Sequence, residues 1–201
     1  MPASASISRF LSALDEAQIL QSFAGKPSSI TNDQARIDQT CLKATIANGV
    51  GCWEGYVEGV LQEFVAKTRV HAQSKAWTLI VQFEIMVKKQ TDGLNTPNWD
   101  KARELISHIT GVDPYVSWIW TPKFSNQQMT KEFFDGVMNV RHAFAHGFPL
   151  PTGVPGLLTP GALDPVYVKD ALNCLEFFAK TTDSLLEHEL THRHNCRTGW
   201  A

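Results

Sequence analysis

The chain has 201 residues and a mass of 22.4 kDa, the size of one domain or one domain with an extension. Its 43% hydrophobic and 10% aromatic content supplies a full core and excludes a disordered chain. With 18 basic against 20 acidic residues the formal charge is −2, which excludes an overall positive field, so any polyanion site must be a local patch.

Helical periodicity dominates the chain and strand alternation is nearly absent. Residues 7–23 place Ile7, Phe10, Leu11, Leu14, Ile19, Leu20 and Phe23 at helical spacing, and GKPSS at 25–29 breaks this first helix. Thr31, Asn32 and Asp33 are N-cap candidates for a long helix running to about 67, with Ile37, Leu42, Ile46, Val50, Trp53, Val57, Leu61 and Phe64 along its stripe. Gly49, Gly51, Gly55 and Gly59 weaken such a helix by roughly 1 kcal/mol each relative to Ala. They predict close approach of other backbones, or else a break near 49–51. A third helix over 74–90 is apolar almost all round, which predicts a central position. Asn98 caps a short amphipathic helix closed by Gly111, and the aromatic stretch 113–124 reads as loop with one helical turn. Ser125 or Asn126 starts a helix that Gly147 stops, a Pro/Gly-rich loop fills 148–165, and a last helix runs from about 165 to 193. That loop is long for a bundle, so it reads either as a surface connector or as a flap beside a site at the end of the preceding helix.

The longest apolar runs, such as 77–83, fall far short of the roughly 18 residues of a membrane span, and the first ten residues lack a secretory pattern. Cys41, Cys52, Cys174 and Cys196 form no C-x-x-C pair, and Cys41 and Cys52 on one helix stand roughly 16 Å apart, too far to bridge. Reduced thiols and a cytoplasmic location are therefore expected. Trp53, Trp77, Phe83, Phe133, Phe134, Phe144, Phe177 and Phe178 fall on helical stripes and are expected in the core, with Trp118 and Trp120 as its cover or as base-stacking groups.

Two constellations carry chemistry. The first is NVRHAFAHG at 139–147, which sets Arg141, His142 and His146 at a helix end. His142 and His146 are i,i+4 and share a face, whereas Arg141 and His146 lie about 140° apart on an ideal helix. The latter two converge only if the helix ends or distorts there, or if a second copy completes the site. An imidazole exchanges protons near neutral pH, and a guanidinium grips a phosphate bidentately. Glu54 and Glu58 on the long helix are the expected acidic partners of Arg141. Residues 67–103 hold Lys67, Arg69, Lys75, Lys88, Lys89, Lys101 and Arg103 against Glu84, Asp92 and Asp100, a local excess that either guides a phosphate backbone or forms an ordinary solvated face. The second constellation is HELTH, with His188, Glu189 and His192 in the zinc-hydrolase pattern and His194 and Cys196 just beyond. Asn195 and Thr198 stand where the extended form of that pattern needs Gly and His, so chance or adventitious metal capture is the favoured reading.

The segment RHAFAHG resembles the signature of the HEPN superfamily, in which Arg, four to six intervening residues and His recur and a polar residue, here His142, often follows the Arg. The stretch 44–64 and the order of helices after it are similar to the HEPN group named after the RiboL-PSP toxins, over roughly 35–193. The resemblance implies an all-α, antiparallel HEPN-like bundle at 31–201, preceded by an N-terminal helical extension at 1–30. It implies a homodimer with a composite active site and a metal-independent endoribonuclease of toxin or defence type, using no cofactor and no metal. The catalytic residues would be Arg141 as phosphate clamp, His146 as acid/base, and His142 as orienting group or second proton donor. RNA is the implied partner, with a possible antitoxin or defence partner and no membrane. A non-catalytic HEPN module that binds RNA or a partner protein is the alternative, and a zinc hydrolase using HELTH the third.

Overall fold

The computed structural model describes residues 3–27, 33–69, 77–95, 97–159, 161–196 and 198–201. These form an all-α bundle of α1 (Ala5–Gln21), α2 (Gln34–Arg69), α3 (Trp77–Asp92), α4 (Trp99–Thr110), α5 (Gln127–Ala145) and α6 (Pro165–His192), with one 3-10 turn at Pro114–Ser117. The expected N-caps Thr31 and Asn32, the helix start at 74–76 with Lys75, and the Trp77 side chain lie outside the described residues. Among the described residues no helix is long and apolar enough to cross a membrane.

Helix ends follow local chemistry. Asp33, Asn98, Asn126 and Asp164 each accept a backbone N–H three residues on, from Arg36, Lys101, Met129 and Tyr167. Pro165 at the first turn of α6 gives up no hydrogen bond that the helix needed. At the start of α1 all four leading N–H groups are taken by side chains. Ser4 donates to Asp183 (3.2 Å), Ala5 and Ser6 to the two Glu63 oxygens (3.0 and 3.1 Å), and Ile7 to Ser4 Oγ (2.9 Å). Burial pushes the Asp183 carboxyl above its ordinary range, and the bonds from Ser4 oppose that shift. The first helix is thus tied at its tip to α2 and α6, and it buries Ile7, Phe10, Leu14 and Ala17 against them.

α2 is the spine, continuous through all four of its glycines. α1 packs antiparallel to it, with Ser6 near Gly59 and Leu14 near Gly49. α6 runs parallel to it, as Gly49 meets Leu172 and, at the far end, Cys196 Sγ lies 3.8 Å from the Lys67 carbonyl oxygen. Close approach holds at only two glycines, and side chains make it rather than backbones. A Cβ on Gly49 would stand 2.5 Å from Leu172 Cδ2 and one on Gly59 2.8 Å from Ser6 Oγ, whereas Gly51 and Gly55 face open space. Gly51→Ala is therefore expected to stabilise the chain by about 1 kcal/mol, because alanine removes the glycine penalty without a clash. Gly49→Ala is expected to destabilise it by about 1–3 kcal/mol, since Leu172 is buried and has little room to yield. Urea denaturation of both variants checks the pair, and equal stability would show that Leu172 moves aside.

The core centres on an aromatic cluster of Trp53, Trp99, Trp118, Phe134 and Phe178, mostly edge-to-face, with centroid separations from 4.9 to 6.3 Å. Two of the cluster's indoles have acceptors: Trp53 Nε1 donates to the Pro97 carbonyl and Trp118 Nε1 to Thr182 Oγ1. Trp118 and Trp120 are both buried, so they serve the core. α3 is not central. It packs on α2 and turns Val87 and Thr91 inward, while Leu79 is 75% and Ile85 56% exposed. Phe144, expected in the core, is 38% exposed.

The loop after α5 is packed rather than free. Leu150, Val154 and Leu163 are buried, and Val154 and Pro155 lie against Gly136 of α5. Gln39 holds the Leu163 backbone through both its N–H and its carbonyl. The strap thus runs back along α5, and only its first residues border the helix end.

Candidate active site

The end of α5 is built by three backbone bonds. His146 N–H donates to the His142 carbonyl (3.2 Å), Gly147 N–H to that of Phe144 (3.3 Å) and Phe148 N–H to that of Ala143 (2.8 Å). This closure needs a left-handed residue after the last turn, and Gly147 supplies it at φ +69°. The His142, Ala143 and Phe144 carbonyls are thereby satisfied, and the helix ends.

His142, Phe144, Ala145, His146 and Phe148 are exposed and Arg141 is half-buried. At about 100° per residue, Phe144, Arg141, Ala145, His142 and His146 follow one another around a single open arc of the helix. The His142 and His146 rings are 4.4 Å apart. Phe148 stacks on His146 at 5.8 Å with 27° between the planes and lies 6.3 Å from His142. The structure therefore brings His142 and His146 together. It joins Arg141 to neither: no hydrogen bond or ion pair of Arg141 forms among the described residues. The helix stops beyond His146 without turning its ring toward Arg141. Ala145 and His142 lie between the two directions on the arc.

Arg141 differs here from Arg69, Arg103 and Arg193, which pair with Glu84, Asp113 and Glu189. Glu58 instead accepts a hydrogen bond from Gln62, and neither Glu54 nor Glu58 forms an ion pair with Arg141 among the described residues. No carboxylate occurs between Asp135 and Asp164 in the sequence.

Two cations of the basic stretch 67–103 pair with carboxylates where it is described, and Lys101 stays exposed. Arg69 pairs with Glu84 (3.1 Å), Arg103 grips Asp113 through two nitrogens (2.8 and 2.5 Å), and Lys67 donates to the Ala201 carbonyl. Lys88 and Lys89 stay exposed at the end of α3, and Lys75 lies outside the described residues.

The HELTH constellation does not assemble a ligand set. His188 and His192 stack face to face at 3.9 Å on the exposed side of α6, and His192 Nδ1 is already engaged by the His188 carbonyl and Thr191 Oγ1. Glu189 turns the other way, is buried and pairs with Arg193. His194 sets its ring edge-to-face on Phe64, and the Cys196 thiol is buried against the Lys67 carbonyl. Among the described residues no three His, Cys, Asp or Glu side chains converge on a point that could hold a metal ion.

Sequence reasoning passed over two residues at this site. Phe148 follows the helix-stopping glycine, a position that commonly packs an apolar side chain back on the last turn. That rule was the available signal, and here the ring packs on an imidazole instead. Phe144 kept the spacing of Phe133, Val137 and Val140 and so read as core. No family model, curated protein or solved structure matches this chain.

Proposed function

We propose that the chain is a HEPN-like, metal-independent endoribonuclease of toxin or defence type, acting at the end of α5 through Arg141, His142 and His146. The observation that carries this reading is a half-buried Arg141 without an ion-pair partner among the described residues, on the same helical arc as two exposed imidazoles, with no carboxylate in the surrounding segment. The likeness of RHAFAHG to the HEPN signature supports the same reading.

In the proposed reaction the ribose 2′-hydroxyl attacks the adjacent phosphorus while an imidazole removes its proton. The P–O5′ bond breaks, the departing 5′ oxygen takes up a proton, and the products are a 2′,3′-cyclic phosphate and a 5′-hydroxyl. His146 is the acid/base, and His142, 4.4 Å away, orients the substrate or supplies the second proton. Arg141 clamps the non-bridging oxygens as charge builds on them. The 140° between Arg141 and His146 is reconciled either by a phosphodiester that reaches across Ala145 and His142 or by a homodimer that apposes the arcs of two copies.

The test is incubation of total RNA with wild-type and His146→Ala protein, in EDTA, followed by analysis of the RNA ends. Cleavage to cyclic-phosphate ends that falls roughly 10²–10⁴-fold in the variant is the expected result. Metal-dependent cleavage, or cleavage indifferent to His146, would refute the assignment. RNA binding without cleavage would favour a non-catalytic RNA-binding module.

A further inference from the structure

We infer that Phe148 and His146 form a stacking shelf for an unpaired base beside the scissile phosphate, which makes Phe148 a residue that selects single-stranded RNA. The inference rests on the nuclease reading above for its substrate, but it has a readout of its own.

Phe148 is 60% exposed, yet its place is fixed. Its N–H is bonded to the Ala143 carbonyl, Gly147 sets the turn before it, and Pro149 restricts its backbone to extended conformations. The main chain is held while the ring stays largely exposed, which leaves the ring an open face. Phe148 and His146 stack with 27° between planes, so the imidazole backs one face of the phenyl ring and the other face is the one a base can take. A lone exposed phenylalanine needs no explanation, but this one adjoins two exposed imidazoles and lies seven residues from an unpaired arginine.

That combination fits a nucleotide better than a protein surface. Arg141 supplies the anion contact, the segment 136–163 offers no carboxylate to repel a phosphate, and a flat apolar ring accepts any base by its face. A paired base keeps its faces inside the duplex stack, so the shelf favours unpaired positions. In-line attack also requires the ribose to turn its 2′-oxygen toward the phosphorus, and a base parked on Phe148 would help hold that geometry.

The experiment measures binding of a short fluorescein-labelled single-stranded RNA carrying 2′-O-methyl groups, which cannot be cleaved, and of the same strand with one abasic position. The full-length chain is used as wild type, Phe148→Ala, Phe148→Leu and Phe148→Trp. Because Phe148 is exposed, all four should keep the same melting temperature. The expected result is a roughly ten- to hundredfold weaker Kd for the Ala and Leu variants, with Trp retaining wild-type affinity. The abasic strand should be insensitive to the substitutions. Equal binding by wild type and Phe148→Ala overturns the shelf. So does wild-type failure to bind the strand, or loss of a dimer on Phe148→Ala with RNA affinity unchanged, which would make the patch a protein interface. The two readings separate cleanly: His146-dependent cleavage without Phe148-dependent binding removes the shelf alone, and Phe148-dependent binding without any cleavage removes the nuclease alone.

Discussion

An Arg141→Lys variant is expected to lose roughly a hundred- to a thousandfold in cleavage rate although it keeps the positive charge. A guanidinium presents its donors in a planar fork that meets two phosphate oxygens at once, whereas an ammonium is a point charge on a mobile stem. α5 carries no second guanidinium to replace the fork. Lys131 is the other cation of α5, and it is committed to Asp100 at 2.5 Å near the opposite end of the helix. The two imidazoles stack on each other and serve the proton transfers in the proposed mechanism. Because Arg141 is half-buried and has no ion-pair partner among the described residues, its replacement by lysine leaves no stranded carboxylate and should barely change stability. Single-turnover cleavage of an end-labelled RNA, alongside a melting curve, separates the effects. A variant that keeps its melting temperature and loses rate at saturating enzyme locates the guanidinium in the transition state. A lysine variant within a few-fold of wild type would reduce Arg141 to general electrostatic attraction.

Helix ends were readable in the sequence because they are decided by one or two residues acting locally. Asn98, Asn126, Gly111 and Gly147 sit where their side-chain oxygen or positive φ is required. What lay beyond local chemistry was which faces find a partner. The apolar positions of α3 surround it almost completely, and periodicity then predicts a buried helix. The fold gives it α2 to lean on, so Leu79, Ile85 and Met86 remain outside. Phe144 fails for a related reason: helical spacing continues to the last turn of α5, while packing against the bundle stops short of it. Gly51 and Gly55 invite the inference of close contact, yet a glycine records only that no side chain is present. At the candidate site the residues themselves were legible, since Arg and His before a stop-glycine are local facts. The missing partner of Arg141 was not, because pairing with Glu54 or Glu58 depends on how α2 and α5 are rotated against each other.

Trp53→Ala is expected to destabilise the chain by about 3–5 kcal/mol, the range for emptying a large buried aromatic site. Trp53 is fully buried at the centre of α2 and touches Tyr56, Trp118, Phe134 and Phe178, so it joins the spine to α5, to α6 and to the segment after α4. Truncation opens a void among rings that edge-to-face packing holds in place, and they have little freedom to collapse into it. It also removes the indole N–H that serves the Pro97 carbonyl, just before the Asn98 cap of α4. Against a total of about 5–15 kcal/mol for a domain, such a loss leaves a substantial unfolded population near body temperature. The measurement is urea denaturation followed by far-ultraviolet dichroism, with a large fall in midpoint expected and a cost under about 1 kcal/mol refuting the hub. The same variant calibrates the functional experiments. Phe134 carries α5 on the Trp53 ring, so Trp53→Ala should lose RNA cleavage together with stability. His146→Ala, on an exposed helix end, should lose cleavage with the melting temperature intact, and only that pattern marks a residue as chemical rather than architectural.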